Sequence, residues 1–133
     1  MIFLDTSAIY ALADRADPNH SRATRQFETA LASNQRLLTH NYVLVESLAL
    51  LQHRLGLSAA LSFARDAEAF EVEWVTTAMH AQAVTRWKEA GRRVLSFVDF
   101  VSFLVMRSRR VEIAFAFDLH FQDEGFQVYN EST

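Results

Sequence analysis

Apolar residues fall into short runs separated by longer stretches with helical spacing. Runs at residues 1–4, 36–39, 113–117 and 126–129 predict buried strands, and polar–apolar alternation at 71–75 predicts another. A further short strand is predicted around Val94 and Leu95. Strands therefore recur along the whole chain.

Helical spacing and stop signals fill the intervals between these strands. Asp17 and Pro18 predict a helix start, with Asp17 as the N-cap and Pro18 in the first turn. An apolar helix is expected over residues 41–55, ended by Gly56, and another over 58–70. Two more are expected, from residue 76 or 77 to Gly91 and over 98–109.

Alternating strands and helices predict an α/β fold, a three-layer α/β/α sandwich with a mainly parallel central sheet. The 133 residues fit one domain, 1–133, because no repeat, linker or low-complexity tract divides them. No apolar run approaches the roughly 18 residues of a membrane span, and the first residues lack a signal-peptide pattern. We therefore expect a cytoplasmic protein.

Composition excludes several kinds of site. The chain has no cysteine, which excludes disulfides, thiolate metal sites and a cysteine nucleophile. The net charge of −3 gives no sign of nucleic-acid binding through bulk charge. Clustered arginines are compatible with a phosphate track or with a solvated face: Arg92, Arg93, Arg107, Arg109 and Arg110.

Three aspartates follow predicted strands. Asp5 and Asp118 come directly after apolar runs, and Asp99 follows the short strand expected near Leu95. In open α/β sheets the functional crevice lies outside the carboxyl ends of the strands. Helix capping is the structural alternative for each, because Asp is a common N-cap where a strand leads into a helix.

Glu46 is a fourth acid, placed inside the apolar helix and beyond any capping position. Its neighbours at helical spacing are apolar, which predicts that its side chain lies among apolar ones. A buried carboxylate needs a cation, a proton or a metal. An arginine partner, or a helix edge that reaches solvent, is the structural alternative.

Clustered carboxylates repel one another, and hard divalent cations such as Mg²⁺ and Mn²⁺ relieve that repulsion. A metal held by oxygen ligands can activate water and neutralise charge at a phosphodiester. Asp123 is a possible fifth acid, although its place before Glu124 and Gly125 favours a solvated helix end.

The pattern as a whole resembles PIN domains, in particular the VapC-type ribonuclease toxins of prokaryotic toxin–antitoxin pairs. The matching segments span essentially the whole chain in the order of the family: Phe3-Leu4-Asp5-Thr6-Ser7, Val43-Leu44-Val45-Glu46, Leu95-Ser96-Phe97-Val98-Asp99, Phe115-Ala116-Phe117-Asp118-Leu119-His120-Phe121 and Gly125-Phe126.

The resemblance implies an endoribonuclease dependent on Mg²⁺ or Mn²⁺. All four acidic positions of the family are filled, by Asp5, Glu46, Asp99 and Asp118. Two hydroxyl residues, Thr6 and Ser96, are expected to orient a carboxylate or a bound water. RNA is the implied substrate, an antitoxin protein is the implied partner, and the apolar helical faces are compatible with a homodimer.

Two rival kinds of α/β domain fit less well. An aspartyl phosphatase needs a second Asp two residues after the first, where this chain has Ser7, and a phosphoacceptor receiver needs a lysine after a late strand, whereas Lys88 lies inside a predicted helix. A housekeeping PIN-like nuclease and a non-catalytic partner-binding module remain as alternatives.

Overall fold

A computed structural model describes residues 1–91 and 94–130 of the chain. Within these residues, five parallel strands form one sheet. In the order β3-β2-β1-β4-β5 every neighbouring pair is parallel. The strands are β1 (Ile2–Leu4), β2 (Leu37–His40), β3 (Glu71–Glu73), β4 (Ile113–Phe115) and β5 (Gln127–Val128). Because β1 and β4 are parallel neighbours, the residues that follow them meet at one edge of the sheet.

Helices connect the strands and cover the sheet, so the predicted α/β fold is confirmed. None of the helices in the part of the chain that the structure describes is long and apolar enough to cross a membrane. The helices are α1 (Thr6–Ala13), α2 (His20–Ala32), α3 (Asn41–Leu55), α4 (Leu57–Asp66), α5 (Thr77–Ala90), α6 (Phe97–Ser108) and α7 (His120–Asp123).

Phenylalanines form much of the core, in agreement with their spacing in the sequence. Phe3, Phe103, Phe115 and Phe121 are fully buried. The rings of Phe103 and Phe121 lie 5.3 Å apart, edge to face, and Phe121 also contacts Phe3. Core packing therefore joins β1, α6 and α7, the three elements that surround the acidic residues.

Two helix boundaries follow the predicted signals closely. Helix α3 ends at Leu55, and Gly56 follows at a φ of +99°, which glycine adopts without the cost that a side chain would bring. Helix α5 begins after Thr76, whose hydroxyl accepts the backbone N–H of Met79, and it ends before Gly91.

The strand predicted around Val94 and Leu95 is wrong. These residues form the short connection between Gly91, which ends α5, and Ser96, which caps α6. Val94 is 88% exposed, so its β-branched side chain does not mark a buried strand. The chain passes from β3 to β4 through two helices instead.

The helix start predicted at Asp17 and Pro18 is also wrong. Helix α2 begins at His20 after Asn19, and the Asp17 carboxylate accepts the backbone N–H of Asn19 in the turn before it. The turn forms because an Asp side chain bonds readily to the backbone two residues on. Helix α1, immediately after Asp5, was not predicted.

Candidate active site

Asp5 and Asp118 lie at the edge of the sheet where β1 and β4 end. Asp5 follows β1 and is 4% exposed, and its backbone N–H donates to the Phe115 carbonyl oxygen at 3.1 Å. Asp118 is three residues beyond β4 and half-buried. Parallel pairing of the strands therefore brings the two carboxyl groups together, as the sequence predicted.

Ser7 holds the Asp5 carboxylate in place. Its hydroxyl donates to Asp5 Oδ2 at 2.7 Å, and its backbone N–H donates to the same oxygen at 3.1 Å. The hydroxyl oxygen also accepts the backbone N–H of Phe117 at 3.0 Å. Ser7 thus ties Asp5 to the segment that carries Asp118, a role that we had not assigned to it from the sequence.

Asp99 reaches the same edge from α6, where Ser96 is the N-cap. The Ser96 hydroxyl accepts the Asp99 N–H at 3.2 Å, and Asp99 Oδ2 accepts the Ser96 N–H at 2.9 Å. This reciprocal capping box fixes the carboxylate against the first turn. The location of Asp99 therefore depends on a helix start, whereas the sequence predicted a strand end.

Electrostatics shows that the three aspartates form one cluster. The pKa of Asp5 is raised to about 7, chiefly by burial and also by the charges of Asp118 and Asp99, against the opposing hydrogen bonds from Ser7. Burial also raises the pKa of Asp118. The charge of Asp99 adds to this rise, and a hydrogen bond with Asp5 opposes it. Capping alone does not explain three carboxyl groups in one place.

His120 lies beside two of these carboxyl groups. Its Nδ1 is 3.3 Å from Asp99 Oδ2 and 3.7 Å from Asp118 Oδ1. His120 Nδ1 is close enough to Asp99 for an ion pair, but the geometry is not that of a hydrogen bond. Nδ1 has no hydrogen-bond partner among the described residues. The backbone N–H of His120 donates to Asp118 Oδ1 at 3.1 Å.

Glu46 does not lie among apolar side chains, so that prediction is wrong. The buried side of α3 consists of Val43, Ser47 and Leu51, and at about 100° per residue Glu46 lies on the flank of that stripe, where it is exposed.

Neighbours of Glu46 on α3 show where its flank points. Tyr42, one turn earlier, contacts the Phe97 ring of α6 at 6.0 Å. Leu50, one turn later, lines a cleft with Ser7 and Asp118. Because residues four apart share a helix face, Glu46 lies on the same side of α3 as Tyr42 and Leu50, while its part in the acidic cluster stays a prediction.

The two hydroxyl residues expected beside the acids differ in role. Ser96 orients Asp99 through the capping box. Ser7, and not Thr6, makes the hydrogen bonds to the Asp5 carboxylate. Thr6 Oγ1 is buried with no hydrogen-bond partner in the described part of the chain, so orientation of a bound water by Thr6 stays a prediction. Serine two residues after an N-cap Asp was the signal that could have identified Ser7.

Of the clustered arginines that the structure describes, two form ion pairs and the third, Arg110, is exposed. Arg107 pairs with Glu124 at 2.9 Å, and Arg109 pairs with Glu71 and Glu73. Arg92 and Arg93 lie outside the described residues. Arg107 and Arg109 thus serve ion pairs at the surface, which favours the solvated face over the phosphate track.

The donor set fits a hard divalent cation. Three carboxyl groups share a partly water-excluded edge, and within residues 1–91 and 94–130 no lysine or arginine forms an ion pair with any of them. Thr6 Oγ1 adds a buried oxygen without a partner. No group of three or more His, Cys, Asp or Glu side chains within those residues is already arranged to hold a metal ion.

Comparison with known proteins agrees with this geometry. The family model described as PIN domain matches residues 2–126. The chain belongs to the PIN-domain family. This PIN-domain protein is 38% identical over 128 residues to the 23S rRNA-specific endonuclease VapC20 of Mycobacterium tuberculosis, in strains CDC 1551 / Oshkosh and ATCC 25618 / H37Rv, with 95% of each chain covered.

Solved structures confirm the fold of this PIN-domain protein. The crystal structure of Mycobacterium tuberculosis VapC20, described as a Sarcin-Ricin loop cleaving toxin, matches with a TM-score of 0.84 at 37% identity, over 95% of this chain and 96% of that one. FitAcB from Neisseria gonorrhoeae matches with a TM-score of 0.65 at 16% identity over 99% of each chain, a likeness of fold alone. The family resemblance and the fold class predicted from the sequence are both confirmed.

Proposed function

We propose that this protein is a metal-dependent endoribonuclease and the toxin of a toxin–antitoxin pair. The observation that carries the proposal is the cluster of Asp5, Asp99 and Asp118 at the carboxyl end of the sheet. Similarity to VapC20 over 95% of both chains supports RNA as the substrate class and ribosomal RNA as the first substrate to test.

Asp5, Asp99 and Asp118 would hold a Mg²⁺ or Mn²⁺ ion, with Glu46 completing the set from α3. The bound ion would supply positive charge to a scissile phosphate and acidify a water molecule. Ser7 keeps Asp5 Oδ2 fixed, and Ser96 keeps Asp99 fixed, so two of the carboxylates are oriented before any ion binds.

His120 and Thr6 have further places in this proposal. His120 stands against Asp99 and Asp118, where an imidazole limits carboxylate repulsion and can contact RNA bound at the cluster. The unpartnered hydroxyl of Thr6 is available to a ligand or to a water at the ion. The role of Thr6 predicts weaker metal binding when its hydroxyl is removed.

An antitoxin protein and a homodimer are the proposed partners, and the cytoplasm is the proposed location. Helix α3 supports the dimer, because Val45 is 65% exposed on it and Ala49 continues the apolar surface one turn later. A nuclease that acts on cellular RNA needs a restraint, which an antitoxin would provide by covering the acidic cluster.

Cleavage of purified RNA tests the proposed activity. We expect ribosomal RNA to be cut at defined sites with Mg²⁺ or Mn²⁺, and to stay intact in excess chelator. Cleavage that continues in chelator would contradict metal dependence. An intact RNA pool with every divalent ion tested would contradict the nuclease itself.

Expression in cells tests the toxin assignment separately. We expect the protein alone to slow growth, and co-expression of the neighbouring reading frame to restore it. An active nuclease that leaves growth unchanged would favour the housekeeping alternative over the toxin.

A further inference from the structure

Two adjacent polar residues are completely buried at the carboxyl end of β2. Thr39 and His40 are each 0% exposed, as is Ser102 on α6. Burying a polar group destabilises the fold unless the group is hydrogen-bonded. The hydrogen-bond partners of these three side chains therefore indicate their role. Those partners belong to the elements that carry the acidic residues.

Thr39 holds the strand that leads to Asp5. Its hydroxyl donates to the Leu4 carbonyl oxygen at 3.0 Å, and Leu4 directly precedes Asp5. The bond adds a side-chain contact to the parallel pairing of β1 with β2. It therefore fixes the last residue of β1 at the point where the chain turns into the acidic cluster.

His40 connects the start of α3 to α6. The backbone N–H of Val43 donates to His40 Nδ1 at 3.3 Å, so the proton of the neutral ring lies on Nε2. Nε2 is 2.8 Å from Ser102 Oγ, which in turn donates to the Val98 carbonyl oxygen at 3.0 Å. Val98 directly precedes Asp99.

One tautomer of His40, with the proton on Nε2, satisfies all the hydrogen bonds from Val43 through His40 and Ser102 to Val98. Burial lowers the pKa of His40 to about 3, so the ring is neutral at ordinary pH and keeps its acceptor toward α3. The Phe3 ring stacks on the imidazole at 5.7 Å and restricts its rotation. His40 is thus a fixed link between α3 and α6.

We propose that Thr39 and His40, with Ser102, are positioning residues that set Asp5, Glu46 and Asp99 relative to one another for metal binding. The pair contacts β1, α3 and α6, which carry these three acids. None of the three positioning residues touches the ion or RNA in this proposal. The inference rests on the proposed function, because it assigns the link to the same metal site.

Three substitutions separate the two arms of the link. His40→Asn keeps a side-chain acceptor for the N-terminus of α3 but is too short to reach Ser102, and Ser102→Ala removes the same link from its other end. Thr39→Val removes only the hydroxyl bonded to Leu4. Leu51→Ala is the control, because it removes a fully buried apolar side chain from α3 and destabilises the fold without removing any of these hydrogen bonds.

Calorimetric titration with Mn²⁺ is the main measurement. We expect Thr39→Val, His40→Asn and Ser102→Ala each to weaken Mn²⁺ binding about tenfold or more, the effect typical of residues that orient metal ligands. His40→Asn combined with Ser102→Ala should weaken it no further than either change alone, because both break one link. Leu51→Ala should bind Mn²⁺ like the unchanged protein.

RNA cleavage by the same proteins distinguishes the two proposals. We expect kcat at a fixed Mn²⁺ concentration to fall in the three link variants while KM for RNA stays within about twofold. If the three variants bind Mn²⁺ as Leu51→Ala does, the inference is overturned, whatever the nuclease activity. If they lose Mn²⁺ affinity but the unchanged protein cleaves no RNA, the link stands and the nuclease proposal fails. Ser102→Ala, the mildest change, decides the result if His40→Asn does not fold.

Discussion

Asp5→Asn and Asp99→Asn are each expected to lower metal-dependent RNA cleavage at least about a hundredfold while the protein stays folded. Loss of a residue that only orients a metal ligand typically lowers metal affinity or activity 10- to 100-fold. These two changes remove a proposed ligand itself, so a larger loss is expected. Asn keeps the side-chain oxygen that accepts from Ser7 or Ser96, so both helix starts retain their caps. The loss therefore reports charge at the cluster.

Asp123→Asn is the matched control for that experiment. The same chemical change falls on α7, at an exposed residue near the cluster in sequence, and cleavage should stay within about twofold of the unchanged protein. Initial rates on one RNA at several Mg²⁺ concentrations provide the comparison. Equal activity of Asp5→Asn and Asp123→Asn would remove Asp5 from the catalytic site.

Asp5→Asn is expected to stabilise the metal-free protein at pH 8, by on the order of 4 kcal/mol. Burial raises the pKa of Asp5 from 3.8 to about 7. Each pKa unit corresponds to about 1.4 kcal/mol of preference for the protonated form. At pH 8 the unchanged protein holds a buried negative charge at Asp5, which the Asn variant lacks. The free energy of unfolding of the neutral variant is therefore higher.

The pH dependence has a defined sign. Folded Asp5 keeps its proton up to about pH 7, whereas unfolded Asp5 releases it near 3.8. The stability that this group contributes is complete below pH 3.8 and is lost as the pH rises through 7. The advantage of Asp5→Asn should therefore be near zero at pH 4 and largest at pH 8.

Chemical denaturation of the two proteins at several pH values measures this difference. His40, whose pKa burial lowers, makes both proteins less stable as the pH falls below about 6.5, and that effect cancels in the comparison. Asp5→Asn that is less stable than the unchanged protein by a constant amount at every pH would indicate that Asp5 serves only as a cap.

Sequence pattern was enough to predict the sheet and the place of two acids. Short apolar runs at residues 1–4 and 113–117 correspond to β1 and β4, and parallel pairing made it possible to infer that Asp5 and Asp118 meet. The helical spacing of apolar residues and the stop signal at Gly56 also located α3, since the helix ends directly before Gly56. These features depend on local sequence, which is why they were predictable.

Asp99 was predicted for the wrong structural reason. Val94 and Leu95 have the residue types of a strand, yet they lie outside the five-stranded sheet and lead into the capping box that starts α6. Val94 is exposed, a fact of tertiary structure that residue type does not encode.

Glu46 and Ser7 show what local sequence cannot resolve. Several apolar neighbours suggested a buried Glu46, but the side of α3 that packs is set by Val43, Ser47 and Leu51. Ser7 is bound by a backbone group 110 residues away, at Phe117, so no local pattern announces that contact. Tertiary packing decides the exposure of Glu46, and the long-range bond from Phe117 adds to the local Ser7–Asp5 bonds.

Calorimetric titration of the unchanged protein with Mn²⁺ in two buffers of different ionisation enthalpy tests the metal site most directly. Because a ligand must be ionised to bind metal and the pKa of Asp5 is about 7, we expect roughly half a proton to be released per ion at pH 7 and almost none at pH 8.5. Asp5→Asn should bind Mn²⁺ at least about tenfold more weakly, without this proton release. Absence of Mn²⁺ binding, or equal binding by both proteins with no released proton, would contradict a metal site built on Asp5.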